Sequence, residues 1–179
     1  MTRRKFGAIA CLALTLLLLV AGCKKQETLP AIELEPVQTY THKHGYAYQY
    51  PAGFQAGSGG SNMDVLLYDP SDTDYLANFS VTCVEGEIDL TGMTGEMLLT
   101  DLPWEDAVVT QFEHGAFLDA YAVRATVEAP NRDKTVQVRQ IIFNHGGYHF
   151  VLTFSSLTEQ LERVQPAFDL IQNSFTLTQ

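Results

Sequence analysis

Four apolar segments follow one another between residues 107 and 154, with only short polar or glycine-containing stretches between them. "AVVTQFE" is followed by His114-Gly115 and "YAVRATVEA" by Pro130-Asn131-Arg132-Asp133. "TVQVRQIIF" is followed by Asn144-His145-Gly146-Gly147, and "YHFVLTF" closes the series. Connections this short cannot carry a chain back to the start of a parallel strand, which needs a crossover of about a dozen residues or more. The pattern therefore predicts consecutive antiparallel hairpins. In the last strand Tyr148, Phe150, Leu152 and Phe154 share one face, and His149, Val151 and Thr153 share the other.

Earlier segments extend the sheet. Tyr46, Tyr48 and Tyr50 alternate in "GYAYQYP", which Pro51 and Gly53 stop. "MDVLLYDP" and "YLANFSVTCVE" read as two more strands. Between them and the hairpins the period changes: Met93, Met97, Leu98 and Leu102 suit one face of a short helix ended by Pro103. At the C-terminus Leu157, Leu161, Val164, Phe168 and Ile171 follow a helical spacing. Ser156 with Glu159 forms a capping-box pattern at its start. Pro166 removes a backbone donor, so the firm part of the helix is expected from Pro166 to about Asn173. Phe175 and Leu177 are placed at a sheet edge.

The N-terminus has its own logic. Arg3, Arg4 and Lys5 precede an uncharged run from Phe6 to Gly22, which is short for a membrane span of about 20 residues and reads as an export signal. Leu19-Val20-Ala21-Gly22-Cys23 resembles the lipobox of bacterial lipoproteins. That resemblance implies cleavage after residue 22 and a diacylglyceryl group on Cys23, and the two acyl chains together make a stable anchor. The expected organisation is a signal over 1–22, a lipidated cysteine and flexible linker over 23–39, and one domain over 40–179. The expected address is the bacterial envelope, on the outer face of the cytoplasmic membrane or in the outer membrane. Once Cys11 leaves with the signal and Cys23 is acylated, Cys83 has no partner for a disulfide. It reads either as a reactive thiol or as a small buried hydrophobe, and no basic residue stands near it to lower its pKa.

The stretch "YAYQYPAGF" resembles the aromatic strand and Pro-x-Gly-Phe turn of the PsbP-like and DcrB-like superfamily. "GYHFVLTFSSLTEQLERVQPAFDLIQNSF" resembles its ending, with Phe168, Ile171, Ser174 and Phe175 as the closing motif. The resemblance implies an α+β fold, an antiparallel β-sheet flanked by helices in an α/β/α sandwich. The superfamily's roles range from an extrinsic photosystem subunit to a Ran-binding transport factor and bacterial lipoproteins. The fold therefore does not dictate function.

Charge is unevenly spread. Between Lys43 and Arg124 there is no Lys or Arg, while thirteen acids fall in the interval; from Arg124 onward five basic and five acidic residues balance. The formal net charge is −10, and losing Arg3, Arg4 and Lys5 with the signal makes the mature chain more acidic still. Nucleic acid is excluded as a partner on this ground. The acidic half reads either as a docking surface for a basic protein or for calcium, or as a solvated face that confers solubility. Trp104 with Asp101, Glu105 and Asp106 marks the nominated partner-binding patch, with Trp104 alternatively a cap over the helix end. "DPSDTD" lacks the glycine and distal glutamate of an EF-hand loop. "GSGGSN" lacks the lysine of a phosphate loop.

His42 and His44 in "THKHG" project to the same side if extended, which permits metal chelation; the alternative is a pair of exposed loop histidines. No cofactor motif is present and none is expected. Gly-x-Ser-x-Gly, His-Glu-x-x-His and Cys-x-x-Cys are all missing, so no catalytic residue is nominated. The function expected is a non-catalytic binding or assembly module, tethered to the membrane through Cys23 and working through its acidic surface. A metal- or small-ligand-binding lipoprotein is the alternative, and a hydrolytic enzyme is the third class.

Overall fold

The computed structural model describes residues 29–57, 63–72, 74–100, 102 and 104–177. Cys23 and Asp101, and most of "GSGGSN", lie outside them. A compact unit begins at Ala31.

The elements in chain order are β1 (Val37–His42), β2 (Tyr46–Pro51), β3 (Gln55–Gly57), β4 (Val65–Tyr68), β5 (Asn78–Glu85), α1 (Gly95–Leu99), β6 (Val108–Phe117), β7 (Ala120–Asn131), β8 (Lys134–His145), β9 (Tyr148–Leu157), α2 (Leu161–Ser174) and β10 (Thr176–Leu177). Seven strands form one antiparallel sheet in the order β3-β4-β5-β9-β8-β7-β6, and β1-β2-β10 form a second. The hairpins β6–β7, β7–β8 and β8–β9 join the four segments in the order that the sequence pattern predicts, but the first turn is not at His114-Gly115: β6 pairs on to Phe117 and the chain turns at Leu118 and Asp119, whose φ values are 50° and 62°. Long alternating strands with short turns specify both partner and register, because a slip of one residue would turn every apolar side chain to the wrong face.

One face of the large sheet carries the main core. Tyr46 and Tyr48 of β2, Phe79 of β5, Phe143 of β8, Phe150 and Phe154 of β9, Phe168 of α2 and Phe175 are nearly fully buried together. Some of their rings meet edge-on, as Tyr48 with Phe79 (5.1 Å) and Phe154 with Phe168 (5.3 Å) do, and others stack, as Phe143 with Phe150 (5.1 Å) and Tyr46 with Phe175 (5.5 Å) do, arrangements that add to the burial of their area. The other face is covered by the segment 86–107: Leu90 and Leu98 pack on Val123, Ala125 and Ile142. Leu99, Leu102 and Trp104 pack on the cluster of Val127, Val136, Val138 and Leu157.

Several expectations need correction. The α/β/α sandwich holds only roughly, since the second helical layer is reduced to the five-residue α1. Met97 is 54% exposed while Leu98 is buried, because a helix this short covers the sheet with one turn only. Ser156 is no helix cap: β9 runs through it to Leu157, and a 3-10 turn over Thr158–Gln160 leads into α2. That helix is continuous through Pro166. Pro166 itself is exposed, and burial of Val164, Ala167, Phe168 and Ile171 on the opposite side holds the helix across it. The domain takes in residues before 40, since Ile32 and Leu34 pack against the core and β1 already pairs with β2 at Val37. Leu177 does return to a sheet edge, pairing with Tyr46 in β10, whereas Phe175 ends α2 and is buried in the main core.

Candidate metal centre

The β1–β2 hairpin turns at Lys43–Gly45. Gly45 adopts a φ of 76°, a left-handed conformation that costs glycine little, and its N–H bonds the His42 carbonyl at 3.1 Å. This tight turn folds His44 back over the end of β1. The His42 and His44 rings stack at 5.0 Å between centroids, and His42 stacks in turn on Tyr46 at 4.8 Å. The backbone N–H of His44 donates to Nδ1 of His42 at 3.3 Å. Tyr148, from the large sheet, meets His44 edge-on at 5.6 Å.

Asp64 completes the cluster. It directly precedes β4, and its N–H is fixed to the Val81 carbonyl at 2.8 Å. One ligand atom each from His42, His44 and Asp64 lies within 4.8 Å of the others, and all three residues are half-buried. Oδ2 of Asp64 is buried and has no hydrogen-bond partner. Leaving a carboxylate oxygen in that state is costly, and a cation is the partner that would relieve the cost.

The electrostatics are coherent with that. Burial is the main influence lowering the His42 pKa, and the neighbouring His44 and Lys43 act the same way against the opposing pull of Asp64. A neutral imidazole is the metal-binding form. Burial, reinforced by Asp64, pushes the Cys83 thiol up to about 11. Cys83 is the free cysteine of the described residues, and this favours its reading as a packed, protonated side chain over a nucleophile. Burial likewise drives the Tyr46 phenol far above its ordinary range, with Asp64 adding to the effect.

Two imidazoles and a carboxylate are the donor set of zinc in sites that keep a fourth position open. At bond lengths near 2.0–2.2 Å, tetrahedral ligands stand about 3.3–3.5 Å apart. The cluster therefore closes by roughly an ångström on binding, within reach of rotamer changes at His44 on its turn. His42 and His44, nominated from the sequence, are brought together; Asp64 is not among the nominated residues. It lies well downstream of His44 in the chain, and only the packing of the small sheet over β4 and β5 makes them neighbours.

The other nominated residues separate. Glu105 and Asp106 are exposed. Trp104 is half-buried against the Val127 cluster, the position of a cap. Five described acids on the covering segment, Glu87, Asp89, Glu96, Glu105 and Asp106, face solvent, and Glu85 at the end of β5 does so beside them. "DPSDTD" is not a calcium loop: its first two acids turn inward onto Arg163, which is 9% exposed. Nη1 of Arg163 donates to Asp69 at 2.6 Å and to the Ser71 hydroxyl at 3.1 Å, and Nη2 stands 3.6 Å from Asp72. Burial alone would raise the Asp69 carboxyl, but hydrogen bonds from Ser71 and the Arg163 guanidinium prevail and hold it below the usual range.

No protein-family model matches the sequence, and no curated protein matches it. Solved structures do. The chain is similar to the cyanobacterial PsbP protein, CyanoP, of Synechocystis sp. PCC 6803, with a TM-score of 0.60 and 16% identity over 85% of this chain and 98% of that one. It is also similar to LpqN of Mycobacterium tuberculosis, a protein involved in cell envelope biogenesis, with a TM-score of 0.55 and 18% identity over 80% and 92% of the two chains. A Bacteroides thetaiotaomicron VPI-5482 protein matches with a TM-score of 0.56 and 10% identity, over 79% of this chain and 48% of that one. At these identities the likeness defines the fold alone, and that fold is PsbP-like.

Proposed function

We propose that the chain is an envelope lipoprotein, tethered through Cys23, whose domain is a non-catalytic binding module for a divalent transition metal such as zinc. The observation that carries this reading is the buried, unpartnered Asp64 oxygen beside the stacked pair His42 and His44. Isothermal titration of the full chain in detergent with Zn²⁺ tests it. One equivalent should bind, and His42→Ala and Asp64→Asn should each abolish the transition. Zinc uptake unchanged in both variants would overturn the assignment.

The tether rests on the lipobox. Cys23→Ala should abolish acylation and processing, and a native mature chain whose mass lacks the diacylglyceryl group would overturn that part of the reading.

A second reading attaches to the covering segment, which presents five exposed acids among its described residues together with Met97 and, over residues 86–107, no Lys or Arg. It would receive a basic protein. Charge attraction acts mainly on encounter, so neutralising Glu105 and Asp106 should slow association severalfold at low salt and leave dissociation little changed. An association rate indifferent to salt and to these substitutions would return the segment to a merely solvated face.

A further inference from the structure

Domain residues 40–179 contain Lys43, Arg124, Arg132, Lys134, Arg139 and Arg163 as their basic side chains. Two are spent internally: Lys134 is paired with Asp74 and Glu159, and Arg163 with Asp69 and Asp72. Arg124 and Arg139 instead line one open cleft of about 630 Å³ between α2 and strands β6–β8, away from the histidines. They are diagonal neighbours on one face, since Arg124 pairs with Ile141 and Thr126 with Arg139 across β7 and β8.

The two guanidiniums are prepared differently. Arg139 lies over the rings of Phe154 and Phe168, 5.6 Å from each centroid. It makes no ion pair or hydrogen bond among the described residues. Its guanidinium plane is thus fixed by aromatic packing while its five N–H donors remain for a ligand. Burial lowers its pKa against the distant pull of Asp169, whose carboxylate is engaged by Gln165 at 2.5 Å. Arg124 is steadied by one bond from Nη2 to the Ala116 carbonyl, 2.8 Å. Gly115 gives it room, since a Cβ there would stand 3.3 Å from Nη1. Glu113 faces Arg124 across β6–β7 and also lines the cleft. Two guanidiniums against one carboxylate leave a surplus of one positive charge. Around them are hydroxyls and amides: Thr126 donates to Oε1 of Gln111, the Gln111 amide N–H groups have no partner among the described residues, and Gln172 of α2 closes one side.

We propose that this cleft binds a singly charged oxyanion on a hydroxyl-rich small molecule, with Arg139 and Arg124 holding the charge and Gln111 and Gln172 reading the hydroxyls. A polyhydroxy carboxylate and the phosphodiester of a glycerol headgroup share that chemistry. Guanidinium forks match either group, and the net charge disfavours a dianion.

The test uses the full chain in neutral detergent with EDTA present, so that the histidine site stays empty. D-gluconate and glycerophosphoglycerol are titrated separately, by calorimetry and by the arginine Nε–H resonances. Saturable binding of either probe, with the Arg139 resonance moving, is expected. Arg139→Gln should weaken it by at least about tenfold, the loss expected for a charged hydrogen bond in a half-buried site. Arg124→Gln should weaken it as well, which keeps the test decisive if Arg139→Gln fails to fold. Response to gluconate assigns the cleft to a free carboxylate. Response to glycerophosphoglycerol alone, with retention on phosphatidylglycerol vesicles over phosphatidylcholine ones, assigns it to a headgroup. No saturable response to either, or one unchanged in both variants, overturns the proposal.

Discussion

The protein gathers charge in its interior twice, with opposite results. Around Arg163 the chain brings together a guanidinium, two carboxylates and a hydroxyl, and the guanidinium faces carboxylate oxygens at 2.6 and 3.6 Å, the longer contact an ion pair that leaves Nη2 and the Asp72 Oδ2 without a hydrogen bond. Around Asp64 it brings together a carboxylate, two imidazoles and a phenol, and the Asp64 and Tyr46 oxygens are left without partners. The first arrangement is closed and belongs to the fold; the second is open and calls for a ligand. Burial by itself does not distinguish structure from function. What distinguishes them is whether a buried charge faces an opposite one: Asp69 and Asp72 face Arg163, and Asp64 has no ion pair among the described residues.

The largest effect is expected at the closed cluster. Asp69→Asn removes the better-placed partner and leaves the Arg163 charge to Asp72 alone at 3.6 Å, a loss of about 3 kcal/mol, the lower end for a broken buried pair. Urea melts of the full chain would measure it. A change below about 1 kcal/mol would mean that the cluster is hydrated and no more than a surface pair. The same cluster sets an acid limit. The Asp69 carboxyl is held below its unfolded value near 3.9, so its contribution is complete above about pH 4 and is lost as pH falls through the lowered folded value. Asp69→Asn should flatten that part of the stability profile.

Next in size is the effect of metal at the open cluster. A ligand present at 100 times its dissociation constant stabilises the state it binds by about 2.7 kcal/mol. Thermal melts with and without Zn²⁺ should separate accordingly, and His42→Ala should remove the difference. Protons compete for the imidazole, so the separation should shrink below about pH 6.5, with the lowered His42 pKa delaying its loss. A separation that persists in His42→Ala would place the metal elsewhere.

The two clusters were unequally legible, for a physical reason. The strands β6 to β9 declare themselves because each carries its own alternation and each turn its own punctuation. His42 and His44 are visible because they stand two residues apart. Asp64 and Arg163 are not, since each meets its partners only after distant elements pack: Arg163 and Asp69 are 94 residues apart. Ser156 misled for the opposite reason. Its spacing to Glu159 satisfies a local cap pattern, but the ladder from β8, which pairs Ser156 with Gln137 and Leu157 with Val136, holds both residues in the strand. Met97 misled because a five-residue helix has no room for a full apolar stripe.

The smallest effect is the sharpest test of the contrast. Asp64→Asn is nearly isosteric and removes a buried charge that no protein group answers. In the presence of a chelator it should leave stability within about 1 kcal/mol of the parent or raise it, because an unsatisfied carboxylate is costlier to bury than an amide. Asp69→Asn, the same substitution a few residues on, should cost several times as much. The Asp64→Asn protein should also lose its response to Zn²⁺, and the Cys83 thiol, freed of the Asp64 charge, should titrate somewhat below its value of about 11. Paired melts of the two variants in EDTA and in Zn²⁺ give all the needed comparisons. If Asp64→Asn destabilises the metal-free protein as strongly as Asp69→Asn does, then Asp64 is satisfied within the fold, and the open cluster is a second closed one.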